Sequence, residues 1–360
     1  MIHDYLAAKL QEASPLIIQL AQHERAIQQA TATPARRQAE DAANQRRQEL
    51  YELKEPSAIY QYLRTTGSAD ADDFRTTWQR RESSINCMER LDRNIQDFWQ
   101  NVFKTPAIDI NVLPAFSFVL RFEFSLAQPF LSKDEQDFYI IDNPVRKDKV
   151  FRLPYIAPSS WKGCLKAALW QLGYNDDTEA IRRLFGNKKG TEVPEEFHAG
   201  RLHFFPTFFT QKSLEIINPH DRQRRVGKDP IPIESVPIDT EGCFTLLYVP
   251  FDRIAHDSHE TRRQLAQDLR LLVEGLPGMF LIYGFGAKTS SGFGTAKEKL
   301  ASGFQFSHNW EEPIALTTSD AEPGVGFQEL RDYLEQVSAE VQRQAEQQEQ
   351  VHAERPPHGQ

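Results

Sequence analysis

The chain has 360 residues, 40% of them hydrophobic and 26% charged, which allows one or two packed domains and excludes a wholly disordered polymer. No run approaches the roughly 18 apolar residues of a membrane-spanning helix, and the opening residues lack a basic segment followed by an apolar one, so neither a membrane protein nor a secreted one is expected. Cys87, Cys164 and Cys243 stand far apart with no paired spacing, so a reducing cytoplasm fits, while the net charge of −9 argues at first against a polyanionic partner.

Gly67 is the only glycine before Gly163, and residues 1–105 hold twelve glutamines with 14 basic and 15 acidic residues, a composition of exposed helices in which strands are not expected. Residues 19–48 carry almost no large apolar side chain after Ile27, and Pro34 interrupts them, which reads as solvated helix or partial disorder. Ile85, Met88, Leu91, Ile95, Phe98 and Val102, at spacings of three and four, predict an amphipathic helix.

From Phe116 to Leu126 the period changes to two, as in a half-buried strand. Ser159 is placed to cap a helix with the stripe Trp161, Leu165, Ala168, Leu169 and Leu172, leaving Lys162 and Lys166 on another face. Strand-like runs over Arg201–Phe209 and Cys243–Phe251 flank a polar, arginine-rich insertion, and Leu265, Leu269, Leu272 and Leu276 mark a second helix that Asp257 or Ser258 can cap. A glycine-rich segment and a last strand complete a β-α-β-β-α-β order, the split pattern of ferredoxin-like folds. The aromatic runs at 204–209 and 280–285 are expected in the core rather than as base-stacking platforms.

Charge by segment reverses the first impression. Beyond residue 310 there are eleven acidic and three basic residues, a net of −8, which leaves −1 for the first 310. Between Val145 and Lys166 the bases Arg146, Lys147, Lys149, Arg152, Lys162 and Lys166 face the single acid Asp148, a density that suits a phosphate backbone as well as it suits a solvated basic face.

The glycine-rich segment places Gly284, Gly286, Gly292 and Gly294 around Lys288, Thr289, Ser290 and Ser291. Glycine lets backbone amides approach phosphate, and a lysine and three hydroxyls add donors, although such a segment also serves as a plain turn. It is neither a Walker loop nor a dinucleotide fingerprint, because Ala287 and Thr289 stand where those patterns need glycine. His198, His203, His256 and His259 lack the thiol or acid partners of a metal motif.

The stretch Ile141-Asp-Asn-Pro-Val-Arg-Lys-Asp148, followed by Leu153-Pro-Tyr-Ile-Ala-Pro-Ser-Ser-Trp-Lys-Gly163, resembles the signature of the RAMP superfamily of CRISPR-associated proteins. Phe185-Gly186, Ile233-Glu-Ser-Val-Pro237 and the loop Gly284–Gly294 resemble further family motifs in the same order, over about residues 112–305; the helix start departs slightly, with Pro158 directly before Ser159. The resemblance implies an α+β fold: a ferredoxin-like (RRM-like) RAMP core at 109–308, a helical extension at 1–108 and an acidic, helical or partly disordered tail at 309–360. It further implies an RNA-binding subunit of a type III CRISPR effector ribonucleoprotein in antiviral defence, with guide RNA, target RNA and other type III subunits as partners and no membrane.

In cleaving members the aspartate matching Asp142 is required for metal-dependent cutting of target RNA, which makes Asp142 the candidate catalytic residue and a divalent cation such as Mg²⁺ the expected cofactor. The competing reading is an Asx turn before Pro144. Arg146, Lys147, Ser159, Ser160, Lys162, Lys166 and the loop residues Gly284, Gly286, Lys288, Thr289, Ser290, Ser291, Gly292 and Gly294 are candidate RNA contacts, and Arg222, Arg224 and Arg225, with His220 and Lys228, fall where the family can carry a thumb. Two alternatives accompany this reading: a non-catalytic structural subunit, and a stand-alone guide-processing endoribonuclease using His256 or His259 as general base.

Overall fold

A computed structural model of the chain describes residues 15–16, 18–19, 22–23, 25–27, 29, 33–51, 56–65, 70–81, 84–86, 106–134, 140–141, 143–175, 178–187, 198–218, 230–310 and 325–354. In chain order the helices are α1 (Thr33–Tyr51), α2 (Pro56–Thr65), α3 (Asp70–Arg81), α4 (Pro158–Gln171), α5 (Glu179–Phe185), α6 (Ser258–Pro277) and α7 (Phe327–Glu354). The strands are β1 (Ser84–Asn86), β2 (Phe118–Leu126), β3 (Tyr155–Ile156), β4 (Leu202–Phe204), β5 (Thr207–Phe208), β6 (Gln211–Ile217), β7 (Ile231–Ser235), β8 (Glu241–Tyr248) and β9 (Ala296–His308). They form two compact units: Met1–Ile85 with Lys133–Val145 and Lys212–Glu234, and Asn86–Ser132 with Arg146–Gln211 and Ser235–Gln360.

The first unit is helical with a small sheet. Ile59, Tyr60 and Leu63 on α2 and Ala71, Phe74 and Trp78 on α3 recur at helical spacing and bury together with Ala43 of α1, Ile140 and Ile141. Strands β1, β6 and β7 pair in that order, so the expectation of no strand before residue 105 is overturned: Ile85, assigned to a helix by its spacing, lies in β1. The remainder of that stripe, from Met88 to Val102, lies outside the described residues. Pro34 does not break a helix but sits in the first turn of α1, where its missing N–H costs nothing. The polar, arginine-rich insertion supplies β6 and β7, and its tip, 219–229, is outside the described residues.

The second unit is a four-stranded antiparallel sheet in the order β4-β8-β2-β9. Its period of two sends Phe118, Leu120, Phe122, Phe124 and Leu126 to one face beside Phe244, Leu246 and Tyr248, all buried. Trp161 from α4, Phe280 beyond α6 and Phe327 from α7 meet Phe122, Phe124 and Phe244 at ring separations of 5.0 to 6.0 Å. Each such pair adds about 0.5–1.5 kcal/mol beyond the area it buries.

The run expected as one strand over Arg201–Phe209 is split into β4 and β5 at Phe205-Pro206, since proline has no N–H for a ladder. Asp257, one of the two expected caps, does cap α6: its carboxylate accepts from His259 and Glu260 N–H, both at 3.2 Å. Leu172 follows the end of α4 and is exposed, so it is not part of the stripe that buries Trp161, Leu165, Ala168 and Leu169. Within the Glu/Gln-rich C-terminal stretch, Leu330, Leu334, Val337 and Val341 form a buried seam on α7, and Ser338 Oγ donates to Ala266 O on α6 at 2.9 Å.

Candidate nucleic-acid interface

The basic stretch before α4 is a tight loop built around its one acid. The Asp148 carboxylate accepts from the backbone N–H groups of Val150 (2.8 Å), Phe151 (3.1 Å) and Leu153 (3.2 Å), and Asp148 N–H closes the loop on Leu153 O at 3.0 Å. Lys149, Val150 and Arg152 are thereby held out at the surface, while Lys147, bridged to Pro154, is only 7% exposed. The surface cations of this loop are therefore Arg146, Lys149 and Arg152.

The loop feeds through β3 into α4. The helix is capped by backbone alone: Ala157 is the N-cap and offers no side chain, and Pro158 takes the first position, where its fixed φ suits a helix start. The expected Ser159 cap is thus overturned, because proline shifts the boundary and puts Ser159 and Ser160 in the first turn. Pro158 has no N–H, and the Ser160 and Trp161 N–H groups donate to Ala157 O at 2.9 and 3.1 Å; what the helix start offers an anion is the positive end of its dipole and the side chains of its first turn. Lys162 and Lys166 follow one turn apart; burial, then the neighbouring Lys166 charge, pulls the Lys162 ammonium below its usual value. Burial, and then the charge of Lys162, likewise lowers His203 on β4.

The glycine-rich loop is fixed at its neck and open at its tip. Phe285 is fully buried, 4.9 Å from the Trp161 ring, and Phe285 N–H donates to Gly294 O at 2.8 Å. Gly286 and Gly294 both adopt positive φ, and a β-carbon on either would collide with backbone, at Leu131 O and Phe285 O respectively. The tip runs through Lys288 in a left-handed conformation, a single 3-10 turn at Thr289–Ser291, and Gly292; Lys288, Ser290, Ser291 and Gly292 are exposed.

Two hydrogen bonds bring the two loops together. Ala287 N–H donates to Leu131 O at 2.7 Å, and at the next residue Ser132 Oγ accepts Arg146 N–H at 2.8 Å, so the segment 131–132 ties the glycine loop to the basic loop. Burial raises the Cys164 thiol's pKa on α4, and the backbone amide of Gly286 partly offsets that rise. Arg146, Ser159, Ser160, Lys162, Lys166 and residues 284–294 thus belong to one assembly of loops around the start of α4.

Asp142, Arg222, Arg224, Arg225, His220 and Lys228 lie outside the described residues. The chain beside Asp142 is held in the first unit: Ile141 is buried, Glu234 N–H donates to Asn143 O at 3.0 Å, and Glu234 Oε2 accepts Val145 N–H at 3.2 Å. Among the described residues no group of three or more His, Cys, Asp or Glu side chains could hold a metal ion.

Sequence reasoning passed over the roles of Asp148, Ser132 and Tyr155 and expected Phe208, in the run 204–209, in the core rather than stacked on Tyr155. Only the Asp148 role had a local signal, an acid followed two and three residues later by unbonded amides; the others depend on contacts across 14 or more residues.

The RAMP superfamily model matches residues 115–297. The CRISPR system Cms endoribonuclease Csm3 of Streptococcus thermophilus is 31% identical over 173 residues, covering 44% of this chain and 76% of that protein. A chain of the type III-B Cmr-beta complex bound to cognate target RNA is similar at 16% identity with a TM-score of 0.42, covering 66% of this chain and 74% of that one. A chain of a CRISPR RNA-guided surveillance complex is similar at 15% identity with a TM-score of 0.37, covering 63% and 84%.

Proposed function

Because the chain belongs to the RAMP superfamily, we propose that it is an RNA-binding subunit of a type III CRISPR effector ribonucleoprotein, with its described basic face holding guide RNA. The observation that carries the reading is the 31% identity to the Csm3 endoribonuclease over three quarters of that protein's length. The fine architecture is read as ferredoxin-like: strands β2, β4, β8 and β9 with helices α4 and α6 follow the β-α-β-β-α-β order, and the antiparallel order β4-β8-β2-β9 supports it.

Binding rests on three groups at hand for phosphate: Ser159 and Ser160 at the positive end of α4, the ammonium groups of Lys162 and Lys166, and the tip Lys288–Gly292. A buried neck beneath an exposed tip suits such a role, because pre-positioned donors lose little freedom on binding.

For cleavage of paired target RNA the reading assigns Asp142 as the catalytic residue. In the reaction expected for it, the 2′-oxygen attacks the adjacent phosphorus as its proton leaves, and the bond from phosphorus to the 5′-oxygen breaks. This yields a cyclic phosphate on one side and a 5′-hydroxyl on the other. A divalent cation would supply charge stabilisation at that phosphate.

The test is reconstitution of the ribonucleoprotein with guide RNA and a complementary target. Asp142→Ala is expected to abolish cutting while guide and target binding persist; undiminished cutting at every position would remove Asp142 from the mechanism, and failure to join RNA would overturn the reading as a whole.

A further inference from the structure

In the second unit a short column of side chains stands just ahead of α4. The Arg146 guanidinium carbon lies 5.4 Å over the centre of the Tyr155 ring, and on Tyr155 the Phe208 ring is stacked at 5.7 Å with 26° between the planes. The sequence does not announce it, since the three residues come from the basic loop, β3 and β5, and the β3–β5 pairing alone sets Tyr155 opposite Phe208.

The column is braced from the backbone. Tyr155 N–H donates to Arg146 O at 3.0 Å, Arg146 N–H donates to Ser132 Oγ at 2.8 Å, and Phe209 N–H donates to Pro154 O at 2.8 Å. Arg146 is exposed, and among the described residues it joins no ion pair, so its charge and the solvent side of its guanidinium are uncommitted. A lysine-like phosphate contact requires only a mobile point charge. A guanidinium held against a ring on a rigid backbone is a flat platform, and flat cationic platforms bind the faces of unpaired nucleobases.

Resting on the reading of the protein as an RNA-binding subunit, we propose that Arg146, Tyr155 and Phe208 form a stacking site for one splayed RNA base, which lies on the solvent face of the Arg146 guanidinium. Pro158 follows Tyr155 by three positions, at most about 11 Å of chain, so the base would sit beside the phosphates held at the α4 start. The column then adds base stacking to a site that otherwise reads only backbone charge.

The experiment uses the full-length protein and single-stranded RNA carrying one 2-aminopurine, moved along the strand, with matched strands abasic at the same position. The expected result is fluorescence quenching at a defined position by the wild type. Arg146→Lys and Tyr155→Leu should each lose that quenching and bind about tenfold more weakly, Tyr155→Phe should retain both, and all four proteins should bind the abasic strand alike. The salt dependence should be unchanged in Arg146→Lys, which keeps the charge. Wild-type affinity in Arg146→Lys, or an equal loss on abasic RNA, would assign Arg146 to phosphate and overturn the proposal alone. Absence of RNA binding by the wild type would overturn it together with the reading beneath it.

Discussion

Arg201 and Asp268 face each other inside the second unit at 3.4 Å, 2% and 0% exposed, and each is held by further partners. Asp268 also accepts from Arg183 at 2.8 Å and from the Tyr248 hydroxyl at 2.8 Å, while Arg201 reaches Asp252 at 2.5 Å and Gln264 at 2.7 Å. Burial pushes the Asp268 carboxyl up, against the downward pull of Arg183 and Arg201. This network joins Arg201, just ahead of β4, to β8, α5 and α6.

Removing one member leaves buried charge uncompensated. Asp268→Ala is expected to cost about 3–5 kcal/mol, measured by denaturant unfolding, because Arg201 and Arg183 lose the anion between them. A loss below about 1 kcal/mol would mean that water reaches these groups.

The two ends of the glycine loop should respond differently. Gly294→Ala meets Phe285 O at a positive φ, so it should open the neck and lower both thermal stability and RNA affinity. Gly292→Ala, also at positive φ but with nothing around its β-carbon, should cost only about 1–2 kcal/mol of local backbone strain. Equal effects on thermal melting would refute the division into clamped neck and open tip.

Salt dependence separates surface from buried cations. Replacing Lys162 or Lys166 with Gln should each reduce the slope of log affinity against log salt by about 0.7 on single-stranded RNA. Lys147→Gln, at 7% exposure, should leave the slope as it is. A matching drop for Lys147 would show that RNA binding exposes it.

The α6 cap carries a pH signature. Hydrogen bonds from the Glu260 and His259 amides hold the Asp257 carboxyl below its ordinary 3.8. A group depressed on folding stabilises fully above its unfolded value and loses that contribution as pH falls through the folded one. Asp257→Ala should therefore cost about 1 kcal/mol near neutrality, and the gap from wild type should close progressively below pH 3.8. A gap unchanged at low pH would show that the carboxylate charge is not what caps the helix.

Periodicity foretold the parts of the fold where burial on one face alone decides conformation. Strand β2 and the stripes of α4 and α6 follow directly from apolar spacing of two or of three and four. It misled at Ile85, where a short strand is set by pairing with β6, and it missed the α7 seam, whose few apolar residues are diluted by Glu and Gln. The candidate site was legible as residue types, with the glycine loop, basic stretch and α4 start all marked along the chain.

What the sequence determined by itself was the family, the charge distribution and the residue types of the basic stretch and the glycine loop, because each depends on composition or on short spacing. Tertiary structure alone decided that Lys147 is buried while Arg146 is exposed, that Asp148 fastens the basic loop, and that residues 131–132 tie that loop to the glycine loop. It also set Tyr155 against Phe208 beneath Arg146. Those facts come from hydrogen bonds and ring contacts between segments distant in the chain, and no local pattern encodes the partner of a long-range contact.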